Sequence, residues 1–188
     1  HWWEQAEIHG VLPLDDRGMQ LFGSRFRKNS PHPEDRRYVY RPPMSPMPAQ
    51  ASGGVGGRNV DIVANVTYKK GDEGVLYASG TQNSGISVFV QNGRLLLDYN
   101  AFGDHTIIES AGLVPEGDHQ LRAVLRRGDG MSGYLEVTID GVSGGSAEVS
   151  LYMRMISSVG PSVGFDHGSP VSTRYSAPYA YTGELHEI

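Results

Sequence analysis

The segment ISVFVQNGRLLLDYN, Ile86 to Asn100, sets Asn92-Gly93 between two strand-like runs of apolar residues. Asn-Gly is the strongest short signal for a β-hairpin, because both central residues of a type I′ turn need positive φ. Asp140-Gly141, which follows the run YLEVTI, repeats this signal. The two dipeptides predict antiparallel pairing between neighbouring strands.

A period of two begins at Asn59. In NVDIVANVTY, Asn59 to Tyr68, apolar residues occupy every second position from Val60 onward, opposite polar side chains. The same reasoning predicts further short strands at Arg37 to Arg41, Gly74 to Ser79, His105 to Glu109, Gln120 to Arg127, Val149 to Ile156, Ser162 to Phe165 and Thr182 to Ile188. About ten short strands without a long amphipathic helix predict an all-β fold, an antiparallel β-sandwich or jelly roll.

Composition narrows the class of protein. At 188 residues the chain is long enough for one ordinary domain. No apolar run approaches the roughly 20 residues of a membrane-spanning helix, and no signal peptide is visible, so no membrane partner is expected. A net charge of -5 with scattered Lys and Arg argues against a nucleic-acid partner. The lack of cysteine excludes disulfides, thiolate metal sites and cysteine nucleophiles.

Proline and glycine divide the chain into two parts. Seven of the 11 prolines precede residue 50, whereas 22 of the 25 glycines follow it. We therefore assign residues 1–54 to a helix end and a proline-rich linker, and residues 55–188 to the β-sandwich. The helix is predicted at Trp2 to Gly10, with Gly10 as its C-cap. A chain that begins with His1 rather than Met is expected to be a processed product or a fragment.

Two long motifs carry a resemblance to a known family. WWEQAEIHGVLPLDDR, Trp2 to Arg17, and VGFDHGSPVSTRYSAPYAYTGELHEI, Val163 to Ile188, closely resemble the C-terminal part of bacterial type I arylsulfatases. The stretch from Gly56 to Asn100 also resembles the family in its order of elements: a strand, the residues G-V-L, a glycine-rich bend and an Asn-Gly hairpin. The resemblance implies a concanavalin A-like, laminin G-like sandwich that serves as the noncatalytic C-terminal domain of a sulfuric ester hydrolase, in the bacterial cytoplasm or periplasm.

The same resemblance implies that the parent enzyme uses a formylglycine nucleophile and Ca²⁺, neither of which is assigned to a residue here. The formylglycine motif C/S-x-P-S-R has no cysteine version in this chain, and Ser169 to Arg174 matches the serine version only with shifted offsets. The expected partner is therefore a missing N-terminal catalytic domain. Trp2 and Trp3 are predicted to pack against it.

Asp166 and His167, in the polar loop Val163 to Tyr175, are the first candidate site residues. As neighbours after a strand they face opposite sides, which argues against a shared metal ion. Asp166 is expected to accept hydrogen bonds from the amides of Gly168 and Ser169. A contiguous Ser-His-Asp triad here is disfavoured, because triad side chains must converge on one point.

Other catalytic and metal sites are weakly indicated. Glu136 and Asp140 are four residues apart and would share a strand face as a glycosidase pair, but Asp140 belongs to the predicted Asp-Gly turn. The loop carboxylates, Asp72, Glu73, Asp104, Asp118 and Asp129, lack the spacing of a dedicated calcium loop. No catalytic residue and no metal ligand is therefore predicted in this chain.

Tyr175, Tyr179 and Tyr181 cluster in sequence near His167. Exposed aromatic rings of this kind stack on sugar faces, so the cluster supports an alternative function as an independent, lectin-like carbohydrate-binding module. The other interpretation is that these rings pack in the core or against another domain. Both interpretations stay open at the level of sequence.

Overall fold

The computed structural model of the chain describes residues 4–5, 37–42, 44, 47–48, 52–153 and 159–188. The chain forms two compact units, His1–Arg37 and Tyr38–Ile188. In the first unit Glu4 and Gln5 are helical and exposed. The rest of the predicted helix, including Trp2 and Trp3, lies outside the described residues. The second unit also contains residues 38–54, which composition assigned to the linker.

The second unit contains ten strands among its described residues, β1 (Val60–Tyr68), β2 (Gly74–Thr81), β3 (Ser84–Gln91), β4 (Arg94–Ala101), β5 (Asp104–Glu109), β6 (Gly117–Arg127), β7 (Gly133–Ile139), β8 (Val142–Val149), β9 (Pro161–Val163) and β10 (Glu184–Glu187). They form two antiparallel sheets, in the order β10-β1-β6-β7-β8 for the first sheet and β5-β4-β3-β2-β9 for the second. The predicted all-β sandwich is confirmed. None of the helices in the described part of the chain is long and apolar enough to cross a bilayer.

Both predicted hairpin turns are present. Asn92 and Gly93 have φ of 52° and 73°, and Asp140 and Gly141 have φ of 52° and 79°, as a type I′ turn requires. A third such turn joins β4 to β5 at Phe102 and Gly103, with φ of 58° and 89°. The Asn100 side chain accepts a hydrogen bond of 2.8 Å from the Gly103 amide and so stabilises this turn.

The prediction of a strand at Val149 to Ile156 was wrong. The strand in this region is β8, which ends at Val149 and whose sequence VSGGSAEV has few apolar residues. Residues 150–153 lie outside any strand, and residues 154–156 of the prediction lie outside the described residues. The glycines have a packing reason, because a Cβ at Gly145 would lie 2.4 Å from the Glu109 carbonyl oxygen. The Ala111 amide also donates to the Gly144 carbonyl. The two sheets therefore approach each other closely along β5 and β8.

The main core lies between the sheets. Alternate residues of every central strand face it, among them Leu76, Val88, Leu97, Leu121 and Val137, each at most 1% exposed. Full burial of one such side chain contributes roughly 1.5–3 kcal/mol. This core accounts for the period of two in the sequence.

Three described residues of the proline-containing segment, Tyr40, Met47 and Pro48, pair with the chain next to β9 and β10. Tyr40 exchanges two backbone hydrogen bonds with Ile188, 2.8 and 2.9 Å long. The Met47 amide donates to the Pro161 carbonyl, and Pro48 forms a bridge with Val159. The prediction of a strand at Arg37 to Arg41 was wrong, because none of these residues lies in a strand. Covering edges with short, proline-rich segments protects them from pairing with other chains.

Candidate functional site

The second sheet is buried on both faces. Its outer face presents Val75, Phe89 and Leu96, each at most 1% exposed. They form a second apolar cluster together with Val171. Val171 belongs to residues 164–183, which we call the covering loop because its side chains pack on this face. The polar loop Val163 to Tyr175 therefore lies mostly in the segment that covers the outer face of the second sheet.

Tyr175 and Tyr179 are the aromatic part of this packing. Their rings stack with centroids 5.1 Å apart, and both meet the buried Phe89 ring edge-on, at 5.1 and 6.5 Å. Such pairs add about 0.5–1.5 kcal/mol beyond the area that they bury. Phe89 thus anchors the two tyrosines of the covering loop.

The Tyr175 hydroxyl joins the loop to the sheet. It donates a hydrogen bond of 2.6 Å to Asp166 Oδ2 and lies 2.7 Å from Ser87 Oγ. Burial raises the pKa of Tyr175, and the Asp166 carboxylate raises it further. This phenol is therefore held neutral as a hydrogen-bond donor.

Asp166 is 2% exposed and serves as an internal acceptor. Its Oδ2 also accepts a hydrogen bond of 2.8 Å from the Val171 amide. The expected donors, the amides of Gly168 and Ser169, are replaced by an amide further along the loop, because the chain folds back to place Val171 in the apolar cluster. Burial raises the pKa of Asp166, and the bonds from Tyr175 and Val171 counteract part of that rise.

The other three predicted residues do not share one site. His167 is exposed, opposite the buried Asp166. Tyr181 packs against the main core, and its buried hydroxyl has no partner among the described residues. Tyr179 donates to Glu73 Oε2 at 3.0 Å, and burial together with this contact raises the pKa of Tyr179 to about 12. The structure thus links Asp166, Tyr175 and Tyr179 by a hydrogen bond and stacked rings, whereas His167 is exposed and Tyr181 packs against the main core.

A second polar group on the same face escaped the sequence analysis. Asp98 is fully buried, and His105 Nδ1 lies 3.0 Å from each of its carboxylate oxygens. Burial raises the pKa of Asp98, against hydrogen bonds from Ser172 and His105. Asn100, also fully buried, donates to the Val171 carbonyl at 3.1 Å.

The signal for this group was present in the strand LLLDYN. Asp98 and Asn100 stand two apart, so they share a face of β4 with Leu96. Polar residues inside an apolar strand predict buried hydrogen-bond partners. One partner of Asp98 is His105 on the neighbouring strand β5. The others, Ser172 and the Val171 carbonyl, come from the covering loop, which the sequence did not place on this sheet.

The outer face of the first sheet is open and charged. Asp61 lies 2.6 Å from an Arg122 nitrogen and 2.7 Å from an Arg126 nitrogen, all three side chains being about a third exposed. Partial burial alone would raise the pKa of Asp61, but the hydrogen bonds and charges of the two arginines outweigh it and lower that pKa. Val124 is 8% exposed beneath these side chains.

The structure does not support the glycosidase pair of Glu136 and Asp140. Asp140 stays in its turn, bonded to the Gln120 amide at 2.9 Å and to His119 at 2.7 Å, and these contacts lower the pKa of Asp140. Within the described residues no group of three or more His, Asp or Glu side chains could hold a metal ion.

Comparisons with known proteins bear on the fold. No protein-family profile and no curated protein matches the chain. Among solved structures it is similar to the mouse laminin alpha1 chain, domains LG4-5, at 18% identity and a TM-score of 0.52. The likeness covers 74% of this chain and 36% of that one. It carries no link to arylsulfatases. The fold of this chain is that of a laminin G-like, concanavalin A-like β-sandwich.

Proposed function

We propose that the chain is a noncatalytic accessory domain of an arylsulfatase-like sulfuric ester hydrolase. The identity of the parent rests on the two sequence motifs, Trp2 to Arg17 and Val163 to Ile188. Sulfate chemistry would then belong to the formylglycine and Ca²⁺ of a separate catalytic domain. This domain would support that partner or shape its substrate entrance, with Trp2 and Trp3 packed against it.

The observation that carries the noncatalytic part is the position of Asp166. A catalytic carboxylate must reach a bound substrate, whereas Asp166 is 2% exposed and bonded to Tyr175 and Val171 of its own loop. The second buried carboxylate, Asp98, is likewise held by His105. Both carboxylates are thus occupied by internal hydrogen bonds, Asp166 within the covering loop and Asp98 within the second sheet.

Two measurements test the proposal. The purified chain is incubated with 4-nitrocatechol sulfate, and we expect no release of sulfate above buffer. The intact mass of the native protein is then measured in its source cells with an antibody to this chain. A species several times heavier than 20.4 kDa, with upstream peptides that contain C-x-P-S-R or S-x-P-S-R, supports the parent assignment.

The opposite outcomes are equally specific. Turnover by the chain that Asp166→Asn abolishes while the fold persists would contradict a noncatalytic role. A native species of the same mass as this chain would end the arylsulfatase assignment. The alternative function, an independent carbohydrate-binding module, would then need another surface, because Tyr175 and Tyr179 are packed on Phe89.

A further inference from the structure

A hollow of about 320 Å³ opens where β6, β7 and β8 end. Tyr134 lies on the outer face of the first sheet, because its neighbour Leu135 is in the main core, and 37% of it is exposed. Beside it Gly128, Ser132 and Ser150 line the hollow with little or no side chain. An exposed aromatic ring therefore borders a space that small residues leave empty.

Packing explains the glycine at position 133. A Cβ at Gly133 would lie 2.5 Å from the buried Tyr152 side chain, and a Cβ at Gly128 would lie 2.4 Å from Ser132 Oγ. The Gly128 amide also donates to the Ser132 carbonyl at 2.9 Å, which closes the loop between β6 and β7. The hollow is thus lined by a hydrogen-bonded turn and by the Gly133 backbone packed on Tyr152.

The charges at the hollow differ from those on the rest of the face. Asp61 forms ion pairs with both Arg122 and Arg126 in the middle of the sheet. At the hollow, Glu148 lies beside Tyr134 in the register of β7 and β8, and Arg127 lines the same space. Neither Glu148 nor the Arg127 guanidinium forms an ion pair within the part of the chain that the structure describes. A carboxylate acceptor and a guanidinium donor therefore remain available to a ligand.

We propose that this hollow binds a saccharide residue. A sugar ring has an apolar face that stacks on an aromatic ring, here Tyr134. Its hydroxyls both donate and accept, so they can bond to the Glu148 carboxylate, the Arg127 guanidinium and the Ser132 hydroxyl. An apolar ligand would leave these charged groups unpaired, and a polyanion would face Glu148. The volume is at the lower end of small-molecule sites, which suits one ring rather than a long chain.

The test is titration of the isotope-labelled chain with glucose, galactose, mannose, N-acetylglucosamine and glucose 6-sulfate, followed by amide chemical shifts. We expect at least one sugar to bind in the millimolar range and to move resonances of residues 127–134 and 148–150. Tyr134→Ala and Glu148→Gln should each weaken binding about tenfold or more, a change of roughly 1.4 kcal/mol. Tyr134→Leu keeps the bulk of the side chain and should weaken binding as well.

The matched controls are Phe102→Gly, which removes an exposed aromatic ring elsewhere, and Glu184→Gln, which neutralises an exposed carboxylate of β10. Both should bind as the unmodified chain does. The proposal is overturned if no sugar shifts these resonances at about 50 mM, above any millimolar dissociation constant. It is equally overturned if binding survives in folded Tyr134→Ala and Tyr134→Leu. Neither result bears on the arylsulfatase assignment, which is tested by mass.

Discussion

The outer face of the first sheet is held by exposed ion pairs, whereas the outer face of the second sheet is sealed by the covering loop. Asp61 and its two arginines stay about a third exposed. On the second sheet Asp98, Asn100 and Asp166 are at most 2% exposed, and each has a partner in the loop or on the sheet. Both faces use charged and hydrogen-bonding side chains, but only one of them removes these groups from water.

This difference determines how strongly each face depends on its polar contacts. An exposed ion pair contributes about 0.2–1 kcal/mol, because water solvates both partners when the pair is broken. A buried acceptor that loses its donor costs roughly 1–3 kcal/mol, because no water replaces the bond. Substitutions of buried polar residues on the second sheet should therefore lower the free energy of unfolding more than substitutions of the exposed ion pairs on the first sheet.

The largest effect is expected from Phe89→Ala. This side chain is fully buried and supports the rings of both Tyr175 and Tyr179. Truncation of a buried phenylalanine costs about 3–5 kcal/mol through lost burial and the cavity that remains. Urea unfolding at pH 7 measures the loss. Leu113→Ala, at a residue 62% exposed, should change stability by less than about 0.5 kcal/mol. Equal effects of the two substitutions would show that the covering loop is not anchored on Phe89.

Tyr175→Phe should come second. It removes only the hydroxyl that joins Asp166 to Ser87, so Asp166 keeps one of its two bonds. The expected loss in the free energy of unfolding is roughly 1–3 kcal/mol. Tyr134→Phe removes an exposed hydroxyl and is the matched control, with a change near zero. A Tyr175→Phe variant as stable as the unmodified chain would contradict the bridging role of this hydroxyl.

The contributions of Asp98 and Asp61 to the free energy of unfolding should change in opposite directions with pH. The folded-state pKa of Asp98 is above its ordinary value of 3.8. Its protonation therefore favours the folded state as the pH falls from the folded-state pKa toward 3.8. The pKa of Asp61 is lowered, so its contribution is present above 3.8 and is lost as the pH falls through the folded-state pKa.

Unfolding curves of Asp98→Asn and Asp61→Asn from pH 7 to pH 3 measure this contrast. Relative to the unmodified chain, the cost of Asp98→Asn should grow on acidification, whereas the cost of Asp61→Asn should shrink. Parallel pH profiles for the two variants would mean that the two carboxylates have similar environments, against the difference in burial described above.

The smallest expected effect is the change with salt in the stability cost of Asp61→Asn, on the outer face of the first sheet. Asp61→Asn at pH 7 should cost about 0.2–1 kcal/mol at low ionic strength, and less in 1 M salt, where charges are screened within about 3 Å. Asp98→Asn should show little salt dependence, because Asp98 is fully buried. A cost of Asp61→Asn that 1 M salt leaves unchanged would argue against an electrostatic origin.

Local sequence signals predicted the parts of the fold that local chemistry determines. Asn92-Gly93 and Asp140-Gly141 gave the two hairpins because their backbone conformations follow from the residues themselves. The turn at Phe102-Gly103 was missed, since a bulky residue rarely adopts positive φ. Its stabilising contact comes from the Asn100 side chain.

Contacts between distant segments could not be predicted in this way. Gly144 and Gly145 of β8 are explained by the approach of Ser110 and Glu109 across the sandwich. The hydrogen bond from Ser172 to Asp98 likewise joins segments far apart in sequence. Of the predicted site residues, Asp166 is buried and His167 is exposed, although the strand before them ends at Val163. The partners of Asp166 depended on how the loop folds back, which no local pattern encodes.

Native-state hydrogen exchange of the Val171 amide tests most directly whether the covering loop is a fixed layer of the fold. This amide donates to the buried Asp166 carboxylate, so it should be protected to nearly the same degree as amides of the central strand β3. Asp166→Asn should weaken that protection while β3 stays protected. If Val171 instead exchanges as fast as the amides of an exposed turn, the loop opens readily, and Asp166, Tyr175 and Tyr179 would again be candidates for contact with a ligand.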